Sequence, residues 1–411
     1  MKALVKLILL AYISLLIGYC TKDMITLHKI YALNYLLITL CIFGIGAILY
    51  ALALFTRFKF ISTTPNLNTK SRDYSLDVAR TTAVLFVPII HFFGISGYYN
   101  TPINDSMLIP TMIRWLVLCS VPIFMIISGY FKGNKGISLQ HYKSIIPVLL
   151  THLFISTIRV FVDYYLHDVN VNWDYIINKL LYFEYGWYVK LYIGMLLLMP
   201  FFNSAYKYLD AKWKKEIFIL TLVGLTSLGP LTYNIIPSSW TILYVFGYYL
   251  IGVYLAEYKV KIHPLISLCL ILALLYLATK ATILHNMGTN FDWDFIGYKS
   301  DSGYSSLIAV ILSVLIILFF TNIKSKHIPF KHIFRYISSI SLEMYLFSQL
   351  FDGFVYKSLL ATNQSFTAMC KMALPLILTV YVLSIASSLI KQIIFYIPKL
   401  LFDIAFIKHK H

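Results

Sequence analysis

Long, nearly uncharged apolar runs return again and again along this chain. A helix crosses about 30 Å of hydrocarbon with roughly 20 residues, and most of the runs are close to that length. Twelve are read, near residues 3–20, 30–56, 76–98, 110–131, 144–166, 187–206, 217–232, 240–256, 264–284, 304–322, 337–357 and 372–398. The seventh is the shortest. Membrane β-strands would alternate over about ten residues, whereas these runs are longer and continuous. Composition points the same way: 59% of the 411 residues are apolar and 12% are charged. An average soluble chain carries about 25% charged residues, so lipid has to be the solvent. The expected fold class is all-α, a polytopic transmembrane helical bundle of about 12 spans.

The formal net charge of +17 is distributed in short clusters between the runs. Lys and Arg gather on the cytoplasmic side of membrane helices. With Met1 inside, about 22 basic residues fall in inner segments and about six in outer ones. Both termini are therefore expected in the cytoplasm, as for a multi-pass protein of a cell's inner membrane. Nucleic acid is not an expected partner, because no continuous basic surface is formed.

Residues 57–75 are polar and hold Pro65 and four basic residues. They read as a cytoplasmic linker between a two-helix unit, 1–56, and a ten-helix membrane domain, 76–400. Residues 401–411 read as a basic cytoplasmic tail. Met1 to Cys20 has the outline of a lipoprotein signal, but Tyr19 stands where a small residue would precede the lipidated Cys. It is read as a retained first helix. The five cysteines are scattered among apolar residues and suggest packing, with no metal or disulfide spacing.

Charged groups inside a span are costly and tend to be functional. The run from Leu76 to Tyr98 contains Asp77, Arg80 and His91. Arg80 and His91 are about three helical turns apart, on one face, with roughly 16 Å between them along the axis. Asp77 is within side-chain reach of Arg80. An anion at Arg80 and proton transfer at His91 is one reading. A snorkelling Arg, a packed His and a helix-start Asp form the plainer one.

Four stretches resemble a known family. Ser75-Leu-Asp-Val-Ala-Arg80 followed by His91 resembles the first core helix of the bacterial integral-membrane acyltransferase family 3. Arg114-Trp115-Leu116 with Cys119-Ser-Val-Pro-Ile-Phe-Met-Ile-Ile-Ser-Gly-Tyr130 is similar to its second helix. Gly186-Trp-Tyr-Val-Lys-Leu-Tyr-Ile-Gly194, through Met199-Pro-Phe-Phe-Asn203, is similar to its aromatic middle segment. Ser338-Ser-Ile-Ser-Leu-Glu-Met-Tyr-Leu-Phe-Ser348 resembles its penultimate helix. The resemblance covers roughly 70–400 and leaves the two N-terminal helices outside.

The resemblance implies transfer of an acyl group, usually acetyl, from cytoplasmic acyl-CoA to a hydroxyl of a surface polysaccharide or lipid-linked glycan. It makes His91 the general base or a transient acyl carrier, with Arg80 and Asp77 beside it in the catalytic set. Imidazole titrates near neutral pH and suits the first role. No bound cofactor or metal is expected. Many relatives carry arginines after the Ser-Gly-Tyr helix, where CoA phosphates are thought to bind. This chain has Lys132, Lys135 and Lys143 there instead, as donor-binding candidates or ordinary inner-loop charges. Arg114, Asp105, Trp187 and Glu343 are substrate-binding candidates. Arg114 is read as facing a glycan, pairing with Asp105 or anchoring at the interface. Glu343 and Asp352 are both open to being packed polar contacts. A transporter, flippase or polymerase of a surface glycan is the alternative function. The sequence shows neither the inverted repeats nor the large outer loop that those would bring.

Overall fold

The computed structural model describes residues 74–166, 171–228, 237–292, 303–323, 330–356 and 365–407. The two expected N-terminal helices and the linker lie outside the described residues, as do residues 408–411. All regular structure among the described residues is helical, apart from one isolated bridge between Ile103 and Met287. Residues 73–366 form one compact unit, and the chain from Thr367 onward belongs to another.

Helix α1, Ser75–Ile95, carries Asp77, Arg80 and His91 and lies at the centre of the first unit. Asp77 stands in its first turn, where a carboxylate complements the helix dipole. Gly97, at φ +83°, ends the helix by turning into the left-handed region that side chains avoid. The span expected at 110–131 is two helices, α2, Leu108–Leu118, and α3, Ser120–Lys132, broken at Cys119. The short α4, Leu139–Lys143, leads into α5, Ile146–Leu166.

The outer loop expected near 167–186 contains a helix, α6, Trp173–Leu180. Asn172 starts it by accepting from Tyr175 N–H at 2.8 Å, the usual role of Asn at an N-cap. Next come α7, Trp187–Tyr208, and α8, Lys212–Ser227. Helix α8 begins five residues before the run read at 217–232, because Lys212, Lys214 and Lys215 extend it with polar residues.

Helices α9, Tyr244–Tyr258, α10, Pro264–His285, and α11, Leu307–Asn322, stand where spans were expected. The span at 337–357 is divided at Ile340 into α12, Lys331–Ser339, and α13, Ser341–Val355. The last, α14, Phe366–Ile407, runs as helix into the stretch read as a tail. Seven described segments are long and apolar enough to cross a membrane: Ser75–Asn100, Asp105–Lys132, Leu139–Tyr165, Trp187–Tyr208, Ser239–Tyr258, Pro264–His285 and Ala368–Ile393. The protein is a multi-pass membrane protein.

Helix α1 packs against α2, α3, α11, α12 and α13. Beside it, α3 and α9 cross at van der Waals contact of their backbones. A methyl group on Gly129 would lie 1.8 Å from Tyr249 O, and one on Gly252 would lie 1.9 Å from Ile126 O. Lipid tails are as apolar as side chains, so membrane helices associate largely through such close packing. The Gly of the Ser128-Gly129-Tyr130 motif is thus a backbone contact.

Candidate active site

Two side-chain hydrogen bonds tie α1 to the α12–α13 segment. Asp77 Oδ1 accepts from Ser338 Oγ at 3.0 Å near one end, and His91 Nδ1 bonds Asp352 Oδ2 near the other. The partners are 261 residues apart in both cases, so the two segments run parallel and in register. Thr81 Oγ1 donates to Phe334 O at 3.0 Å, and Tyr356 OH donates to Pro88 O at 3.1 Å. His91 is therefore held on a clamped surface.

The His91 side chain is 24% exposed and that of Asp352 is 4% exposed. An ionised carboxylate only accepts, so with Asp352 ionised Nδ1 carries the proton, and in a neutral imidazole Nε2 keeps its lone pair. Among the described residues Nε2 has no hydrogen-bond partner. A buried carboxylate that fixes a histidine's tautomer while the far nitrogen faces a substrate is the logic of a general base.

Several sequence expectations need correction. Asp77 is buried and does not pair with Arg80; Ser338 takes its carboxylate instead. Asp77 and His91 are fourteen residues apart on one helix, about 21 Å along the axis. Arg114 is fully buried and makes no ion pair with Asp105, which is exposed. The Arg114 guanidinium carbon is 4.8 Å from the Phe291 ring centroid, 5.3 Å from Trp115 and 5.8 Å from Tyr99. Glu343 lies in the first turn of α13, nine residues before Asp352, and adds a favourable charge there. Trp187 is partly exposed and stacks on Tyr304 with 5.5 Å between centroids.

A second group of residues surrounds Arg80. Its guanidinium carbon is 5.7 Å from the Phe131 ring centroid, and no carboxylate pairs with it among the described residues. Lys132 turns back so that Nζ donates to Tyr192 OH at 3.4 Å. Tyr192 stacks on Tyr188, which meets Phe124 and Tyr345. Asn203, 1% exposed, fixes the loop after Lys132: its Nδ2 donates to Lys132 O at 3.0 Å and to Lys135 O at 2.8 Å. Its Oδ1 accepts from Tyr249 OH at 2.9 Å. Of the three donor-binding candidates, Lys132 joins this aromatic wall, whereas the Lys135 and Lys143 side chains are exposed.

Asp352 is the partner that sequence reasoning passed over in favour of Glu343. An acid inside an apolar helix was the available signal. Asn203 had none beyond its place in a motif. Among the described residues no His, Cys, Asp or Glu cluster could hold a metal ion.

No curated protein and no solved structure matches the chain. A family model does: the acyltransferase family 3 model, described as an acyltransferase domain, matches residues 73–392, so the chain belongs to that family and is a membrane acyltransferase.

Proposed function

We propose that the protein transfers an acyl group, acetyl first among them, from cytoplasmic acyl-CoA to a hydroxyl of a cell-surface polysaccharide or lipid-linked glycan. The observation that carries this reading is His91, bonded through Nδ1 to a buried Asp352 with Nε2 open. Nε2 takes the proton as the sugar oxygen attacks the thioester carbonyl. The C–S bond then breaks, the acyl group stays on oxygen, and the proton leaves with the CoA thiol. A two-step route with the acyl group carried briefly on Nε2 uses the same geometry.

Arg80 and Lys132 form the donor end. Two cations flanking aromatic rings suit phosphate and the flat adenine of CoA. The pantetheine arm would cover the rise along α1 to His91.

This reading needs Arg80 inside and His91 toward the outside, with twelve spans and both termini cytoplasmic. The parallel run of α1 and α13 supports it, because an odd number of crossings, seven in this topology, must separate them. Loop contacts support it too. Ile103 N–H donates to Thr289 O at 2.9 Å, joining two loops assigned outside, and Lys207 Nζ donates to Asn134 O at 3.2 Å, joining two assigned inside. The same topology suits the inner membrane of a cell envelope. On this reading residues 1–56 are a separate two-helix unit, joined by the 57–75 linker to the membrane domain.

The test is the ester content of surface glycans in a deletion strain, rescued by the wild type or by His91→Ala. An O-acyl ester that disappears on deletion and returns only with the wild type is expected. Unchanged esters with shorter or retained glycan would move the reading to polymerisation or transport.

A further inference from the structure

Arg159 belongs to neither group of residues described above. It lies on α5, one turn before Asp163. Its Nε donates to Asp163 Oδ2 at 2.7 Å, and Tyr175 OH, from α6, donates to the same oxygen at 2.5 Å. The Asp163 side chain is 2% exposed, while that of Arg159 is 18% exposed. The guanidinium is thus pinned along one edge by a buried carboxylate. Its two Nη groups make no hydrogen bond among the described residues.

That edge lies beside α13, the helix that carries Asp352. Nη1 lies 3.6 Å from the point where a Cβ on Gly353 would stand, and Gly353 follows Asp352. The guanidinium carbon is also 5.8 Å from the ring centroid of Tyr185, whose hydroxyl donates to Leu346 O on α13. Glycine at 353 leaves room beside the cation that a longer side chain would fill.

We infer that Arg159 receives an anionic group of the acceptor, a carboxylate or a phosphate, next to the His91–Asp352 pair. This deepens the proposed function and rests on its assignment of His91 to the acceptor. A guanidinium presents parallel N–H groups that match either anion, and one held in place loses little freedom on binding. Asp163 takes only the Nε position of the guanidinium, and Asp352 is bonded to His91. The link between α5 and α6 is the Tyr175–Asp163 bond, and the Arg159 Nε bond stays within α5, so neither uses the Nη edge.

The experiment is thermal unfolding of the full-length protein in phosphatidylcholine nanodiscs with glucuronate, inorganic phosphate or glucose. At least one anion should raise the midpoint of the wild type, and glucose should not; which anion acts separates a sugar acid from a phosphate source. Arg159→Gln should abolish the shift. Arg159→Lys, which keeps the charge but loses the fork, should weaken apparent affinity at least fivefold. Tyr175→Phe removes part of the strap and should keep the shift. No shift with either anion in the wild type overturns the inference, as does an undiminished shift in Arg159→Gln. Loss of the shift in Tyr175→Phe equal to that in Arg159→Gln would also overturn it in favour of a structural strap. No acyl donor is present, so this result stands or falls separately from the ester measurement.

Discussion

His91 Nδ1 is bonded to Asp352 Oδ2, a carboxylate buried on a helix that runs parallel to histidine's own. The same register brings Ser338 to Asp77. Two acids that look alike in sequence therefore have different partners: Asp77 ties one end of the helix pair, and Asp352 holds the His91 ring at the other.

Asp352→Asn should leave a folded protein with a misdirected imidazole. An amide can donate to Nδ1 and so favour the tautomer that has its proton on Nε2. A fall in kcat of about 10²- to 10⁴-fold is expected, with acceptor KM changed little. Acyl transfer by purified protein in nanodiscs measures it, and near-normal kcat would leave the pair a packing contact.

Arg80→Gln and Lys132→Gln should act on the donor. Each removes a charge from the aromatic wall around Tyr192. A charge-assisted hydrogen bond is worth about 1.5–3 kcal/mol, so KM for acyl-CoA should rise roughly ten- to hundredfold. Acceptor KM should stay put. Initial rates at varied acyl-CoA check both statements.

Asn203→Ala should loosen the loop after Lys132 without touching a charge. It removes the two Nδ2 bonds to the Lys132 and Lys135 carbonyls and an acceptor from Tyr249. A loss of about 1–3 kcal/mol in stability is expected, together with a higher donor KM. Thermal unfolding and donor kinetics on the same preparation should move together.

Gly252→Val should prevent normal assembly. The added carbon meets a backbone carbonyl that cannot step aside. Overpacking usually costs about 1–3 kcal/mol, and a backbone clash belongs at or beyond the upper end. Size-exclusion profiles of detergent-solubilised protein should show aggregation or loss. Gly194→Ala, where nothing lies within 4 Å of the new carbon, should behave as the wild type.

Sequence alone was sufficient for the class of fold. Repeated apolar runs leave lipid as the only suitable solvent, and in lipid each backbone group must bond within its own helix. The positions of the described helices follow from that, as does the prominence of Arg80 and His91 on one face of α1. The helix breaks at Cys119 and Ile340 were read through because apolar residues resume on either side, although Pro122, which cannot bond the Leu118 carbonyl, and Ser338, Ser339 and Ser341 mark them. Helix α6 was hidden among polar residues that read as a loop. The site's partners were hidden for another reason: periodicity orders residues within a helix and says nothing of which helix lies beside it. Only the parallel packing of α1 and α13 distinguished Asp352 from Glu343, gave Asp77 to Ser338, and brought Arg159 alongside Gly353.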